Sequence, residues 1–197
     1  MDEVAARTAI REIVENWVVW RDAGDWARFR TVWHEDARMH ATWFQGSAAD
    51  FIDASREGWA KGVGILHFLG GHSAEVAGTR DRADQDDDLA ARRRRWRALR
   101  RRMHRALLRL PEHRNGRWAI ALRQPIYEKD RLDPVDPAAK LSLDVALLQR
   151  FPEGYRHLAY LQTRIGYTVK RDMPGLKGAE VEALYAKGKR WLEGGSL

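Results

Sequence analysis

The hydrophobic period changes partway along this chain, which limits it to folds that combine helices with a sheet. Ile10, Ile13, Val14, Trp17 and Val18 recur at helical spacing, and the pattern stops at Ala23-Gly24. Beyond Asn115-Gly116, a two-residue hairpin signal, the period drops to two. Trp118, Ile120 and Leu122 alternate there with Arg117, Ala119, Ala121 and Arg123, as in a strand from Arg117 to Tyr127. The fold class this implies is α+β.

The elements between follow from local signals. Asp25 suits the N-cap of a second helix carrying Trp26, Phe29, Val32 and Trp33, and Arg38 to Phe44 reads as a short strand. Ser47 with Asp50 resembles a capping box opening a third helix through about Trp59, a better role for Ser47 than nucleophile. Ile65 to Val76 is extended and interrupted by Gly70-Gly71, which suggests a bulge. Leu132 to Ala139, with Pro134 and Pro137, reads as a linker. Two helices are expected after it, near Ala146 to Ile165 with a break at Phe151-Pro152, and near Ala179 to Leu192. With 197 residues, 44% of them hydrophobic, the chain suits one domain over residues 1–130, then a linker and C-terminal helical extension over 131–197.

Several function classes fall away. There are no cysteines, so disulfides and thiolate metal sites are excluded, and His34, His40 and His72 lack metal-ligand spacing. No cofactor or metal is expected. No apolar run reaches the roughly 18–20 residues that span a membrane, and the start Met1-Asp2-Glu3 does not read as a signal peptide. No membrane partner is expected; the cytoplasm is the expected compartment, and the chain could form a homo-oligomer.

The net charge of +7 raises a nucleic-acid reading, but residues 81–110 hold eleven Arg and five Asp, leaving 24 basic against 23 acidic residues elsewhere. As written, Asp86 to Leu110 has a helical seam of Leu89, Trp96, Leu99, Met103, Ala106 and Leu110, so 81–110 is expected to be a basic helix. A second reading is that residues 81–111 are frameshifted, because arginine without lysine or glutamate is typical of GC-rich DNA in the wrong frame. Advanced by one base from Asp81, the codons can encode two alternating strands around a turn, with Gly forced opposite Trp96 and Cys opposite Met103.

The order of motifs resembles the SnoaL-like branch of the nuclear transport factor 2-like superfamily. They are N-terminal helices, a Gly24-Asp25-Trp26 turn, Trp33-His34-Glu35-Asp36-Ala37, a strand opening at His67, and Arg114-Asn115-Gly116-Arg117-Trp118. The resemblance covers about Ala6 to Asp130, apart from 81–111. It implies a cone-shaped, curved, mostly antiparallel sheet wrapped by N-terminal helices around one small-molecule pocket. Relatives include dehydratases, a dehydrochlorinase, ketosteroid isomerase and polyketide cyclases, so the fold alone does not choose a reaction.

The dehydratase and dehydrochlorinase branch resembles this chain most closely, and its catalytic Asp, His and pocket Arg fall on Asp22, His67 and Arg123. The Asn that usually follows the His is replaced by Gly71-His72. Asp22 also stands out locally, because an acid in a helix's last turn opposes the dipole. Blander roles stay open: Asp22 as a surface acid paired with Arg21 or Arg11, His67 as a core histidine, and Arg123 paired with Glu128 or Asp130. Trp17, Trp20, Trp43 and Phe44 are candidate pocket walls or plain core, and Tyr127 a second donor.

The expected function is a cofactor-independent lyase or isomerase acting on a small hydrophobic substrate, with His67 as base, Asp22 orienting it and Arg123 stabilising charge. The alternatives are a non-catalytic binder with the same pocket, and a nucleic-acid-binding module using Arg92 to Arg109, which the local confinement of charge disfavours.

Overall fold

A computed structural model describes residues 2–93 and 99–197, with side chains at 85–102 and 104–106 outside the described set. Helix α1 (Glu3–Ala23) starts where Asp2 accepts from the Val4 amide and ends where Gly24 takes φ +72°, a left-handed conformation that glycine adopts without strain. Its buried stripe is Ala6, Ile10, Val14, Trp17, Val18 and Arg21. Helix α2 (Trp26–Thr31), capped by Asp25, is shorter than expected. Trp33 opens strand β1 (Trp33–Ala41) instead, because Val32 and Trp33 pack into the core beside β6 (Arg117–Pro134).

Strand β2 (Phe44–Ser47) folds back on β1, and Ser47 caps α3 (Ala48–Ala60) by accepting from the Asp50 amide at 3.1 Å. Strand β3 (Val63–Ala77) carries the expected irregularity between Leu69 and His72. The Asn115-Gly116 turn also forms as expected, with φ +53° and +81°.

Among the described residues of 81–110 the expected helix is absent, 94–98 lying outside them. Strand β4 (Arg80–Arg93) and strand β5 (Leu99–Arg114) occupy that stretch, completing a six-stranded sheet in the order β2-β1-β6-β5-β4-β3. Only β1 and β6 run parallel; the other adjacent pairs are antiparallel. The physical reason is long-range. Strands β3 and β6 offer open hydrogen-bonding edges to both neighbours, and Met103, Leu107, Leu108 and Leu110 are buried in the sheet. A local helical seam of modest propensity does not compete with ladders that satisfy three strands at once.

Helices α1 and α3 cover one face of the sheet around Trp17, Phe29, Trp33, Met39 and Phe51. The C-terminal segment holds α4 (Val145–Leu148), a 3-10 turn (Glu153–Tyr155), α5 (Arg156–Arg164) and α6 (Ala179–Leu192). Val181, Leu184 and Trp191 of α6 pack on Leu108, Leu110, Leu122 and Ile126. Strand β6 therefore lies between two layers, and Trp118 through Arg123 are all buried. No helix among the described residues is long and apolar enough to cross a membrane.

Candidate active site

The end of α1, β1, β3, β6 and α5 meet around a cavity of about 60 Å³ whose wall includes Trp17, Arg21, Met39, His67, Arg123 and Tyr127. Asp22 and His67, 45 residues apart, join at its edge. The carboxylate accepts from His67 Nδ1 at 2.7 Å through Oδ1, and from the His67 backbone amide at 2.6 Å through Oδ2. This double grip fixes both the ring and the strand that carries it. The Asp22 carboxylate favours the tautomer with the proton on Nδ1. The ring stands edge-on to Trp17, with centroids 5.2 Å apart.

Arg123 is wholly buried, and its guanidinium lies over the face of Trp17 at 3.6 Å and beside Met39 Sδ at 3.7 Å. Of the acids considered for it from sequence, Glu128 pairs with Lys129 and Asp130 with His157. Asp22 is not the exposed acid considered from sequence, since its side chain is 11% exposed and Arg11 pairs with Glu15, although it does lie 3.8 Å from Arg21. Tyr127 accepts from the Thr42 amide at 3.2 Å, and Thr42 donates to Gln162 Oε1 at 2.8 Å.

Trp17 and Trp43 line the cavity, whereas Phe44 packs behind it on Trp43 and Phe51 and Trp20 joins the core beyond the wall. His34 and His40 have other duties: they bond the Glu112 carbonyl at 2.8 Å and Gln124 at 3.2 Å. Burial holds both below the usual histidine range. His72 is pushed down in the same way. No metal-binding cluster occurs among the described residues. The basic surface considered from Arg92 to Arg109 lies largely outside the described side chains, and Arg109 itself is fully buried in the sheet.

Sequence reasoning missed Arg21, Thr42, Leu158 and Gln162, all in the cavity wall. Arg21 carried a signal, for it falls four residues after Trp17 on the apolar stripe of α1. The α5 residues carried none, because their place depends on how the C-terminal segment folds back. Lys170 donates to the Thr42 carbonyl and Tyr127 to the Pro174 carbonyl, both at 2.8 Å, strapping that segment across the site. Tyr167 packs on Trp43 with ring centroids 5.1 Å apart.

A larger cleft of about 480 Å³ lies between α2, β1 and α3. In its wall His34 is bonded to the Glu112 carbonyl and Arg117 donates to the Thr31 and Trp33 carbonyls, beside Arg30 and Glu35.

A curved sheet wrapped by helices around an interior pocket is the arrangement expected of a SnoaL-like protein. The SnoaL-like domain model matches residues 2–124, and the chain belongs to that family. Among its relatives is Pea pathogenicity protein 2 of Fusarium vanettenii, 34% identical over 213 residues, covering 95% of this chain and 86% of that one. Solved structures with the same fold include a Novosphingobium aromaticivorans protein proposed to be a scytalone dehydratase. It is 12% identical, with a TM-score of 0.58, covering 71% of this chain and 97% of the other. Another is the hexachlorocyclohexane dehydrochlorinase LinA-type3 of Novosphingobium barchaimii, 16% identical, TM-score 0.56, covering 71% and 97%.

Proposed function

We propose that this protein is a cofactor-independent lyase or isomerase of the dehydratase type, acting on a small, largely apolar organic substrate. The observation that carries the reading is the Asp22–His67 pair, in which one carboxylate holds both the ring Nδ1 and the backbone amide of the histidine. Fold neighbours of dehydratase and dehydrochlorinase type support it.

In this reading His67 Nε2 takes a proton from carbon beside an activating group. The electron pair of that C–H bond then forms a new double bond as water or another leaving group departs, or reprotonates elsewhere in an isomerisation. Asp22 keeps the imidazole in the Nδ1–H tautomer and stabilises the imidazolium that forms. In the same reading Arg123 and the Tyr127 hydroxyl, both buried in the wall, stabilise the negative charge that develops.

The test is turnover by the purified chain on a panel of β-hydroxy carbonyl compounds, β-halo compounds and unsaturated ketones, beside His67→Ala and Asp22→Asn. Turnover by the parent that collapses in both folded variants supports the proposal. Ligand binding that is equal in all three, with no turnover by the parent, makes the protein a non-catalytic small-molecule binder instead.

A further inference from the structure

The cleft between α2, β1 and α3, about 480 Å³, falls within the size range of ordinary small-molecule sites. It exceeds the roughly 150 Å³ in which an apolar cavity holds benzene, and it shares no lining residue with the cavity beside Asp22 and His67. Short side chains leave the space open. Ala27 of α2 and Ala48 and Ala49 of α3 stand where longer residues would fill it, and with Ile52 they form an apolar floor.

The polar groups around that floor are of two kinds. His34 is 7% exposed, and its Nε2 lies 2.8 Å from the Glu112 carbonyl oxygen. A carbonyl only accepts, so Nε2 carries the proton. Burial, opposed in part by that hydrogen bond, holds the ring below the usual histidine range. The neutral ring keeps a lone pair on Nδ1, an acceptor without a protein partner among the described residues. Arg117 donates to the Thr31 and Trp33 carbonyls, which fix its guanidinium without neutralising it. Arg30 forms no ion pair among the described residues, and Glu35 is the one carboxylate of the lining. The cleft therefore sets two guanidinium groups against a single acid, beside an acceptor sunk in the wall.

We infer that this cleft binds a hydroxylated aromatic acid, its carboxylate held by Arg30 and Arg117, its ring on the alanine floor and its hydroxyl donating to His34 Nδ1. An acceptor so deeply buried favours a ligand that brings it a proton. A second carboxylate in place of the hydroxyl would meet the Nδ1 lone pair and add charge beside Glu35, so dicarboxylates are disfavoured. The site is separate from the reaction proposed above and stands whether or not that reaction occurs.

The test measures 6-hydroxy-2-naphthoate beside its amide, 2-naphthoate and naphthalene-2,6-dicarboxylate, by calorimetry and ligand-observed NMR on the full chain at neutral pH. The hydroxy acid is expected to bind at least about tenfold more tightly than its amide, from the charged hydrogen bonds. It should bind about threefold or more above 2-naphthoate, from the hydroxyl, and above the dicarboxylate. Ala49→Leu, which fills the cleft, should abolish binding, whereas His67→Ala should leave it unchanged and so place the ligand outside the interior cavity. Arg30 is exposed, so Arg30→Gln remains informative if Ala49→Leu does not fold, and it should lower the preference for acid over amide several-fold. The inference is overturned if the hydroxy acid binds no better than its amide or than 2-naphthoate, or if nothing binds. It is equally overturned by binding that is unchanged in folded Ala49→Leu, or by an acid preference that is unchanged in Arg30→Gln.

Discussion

Asp22 holds His67 by two atoms, the ring Nδ1 at 2.7 Å and the backbone amide at 2.6 Å, so one carboxylate ties the end of α1 to the middle of an edge strand. The side chain that would orient the base also joins two elements. Removing Asp22 should therefore cost stability as well as rate. Asp22→Ala is expected to lose about 1–3 kcal/mol in urea denaturation, from buried donors left unsatisfied. His67→Ala should lose about 100- to 10,000-fold in kcat with a smaller stability change, the range a general base contributes.

Gly154 marks where the C-terminal segment docks behind the site. A Cβ there would stand 2.5 Å from the Tyr127 carbonyl oxygen, which is backbone and cannot swing aside. Gly154→Ala should push the 3-10 turn off β6, costing about 1–3 kcal/mol. Because Tyr155 packs on Tyr127 with ring centroids 4.9 Å apart, the shift should also weaken ligand binding. Denaturation and binding measured on the same preparation check both effects.

Asp81 is wholly buried in β4, and burial raises its carboxyl to about 7 from 3.8. Between those values the native state holds a proton that the unfolded chain has released, so stability falls as pH rises from about 4 to about 7. Above that the contribution is constant and unfavourable. Burial shifts Asp84 in the same direction. Asp81→Asn should be more stable than the parent above pH about 7 and show a shallower decline, read as urea midpoints across that range.

The frameshift expectation for residues 81–111 has its own consequence. Strands form from the written residues, so the missing-hairpin argument no longer supports it, although β4 and β5 bury Asp81 and Arg109 where sheets ordinarily place apolar groups. If the frame is shifted, protein made from the natural gene contains cysteine opposite Met103, and its intact mass departs from that of the written chain. A matching mass, together with a stable fold, removes the idea.

Much of the site was legible because its signals are local. Gly24 ends α1 wherever that helix packs, which sets Asp22 in its last turn. The Asn115-Gly116 turn fixes where β6 begins, and hence which residues share Arg123's strand. Other features had no local signal. Arg21 looked like a surface partner for Asp22, and only the burial of its stripe shows it in the cavity wall.

The sequence by itself determined the α+β class, the caps, the Gly70-Gly71 irregularity and the helical N-terminus, since these follow from backbone preferences and short-range periodicity. Tertiary structure decided the rest. It turned 81–93 and 99–110 into strands, because β3 and β6 supply partners that an isolated segment lacks. It buried both faces of β6 under α1, α3 and α6. It also brought α5 across the pocket. Hydrogen-bond ladders and apolar faces are satisfied only by residues distant in the chain, and a period of two or of 3.6 carries no record of which distant residues those are.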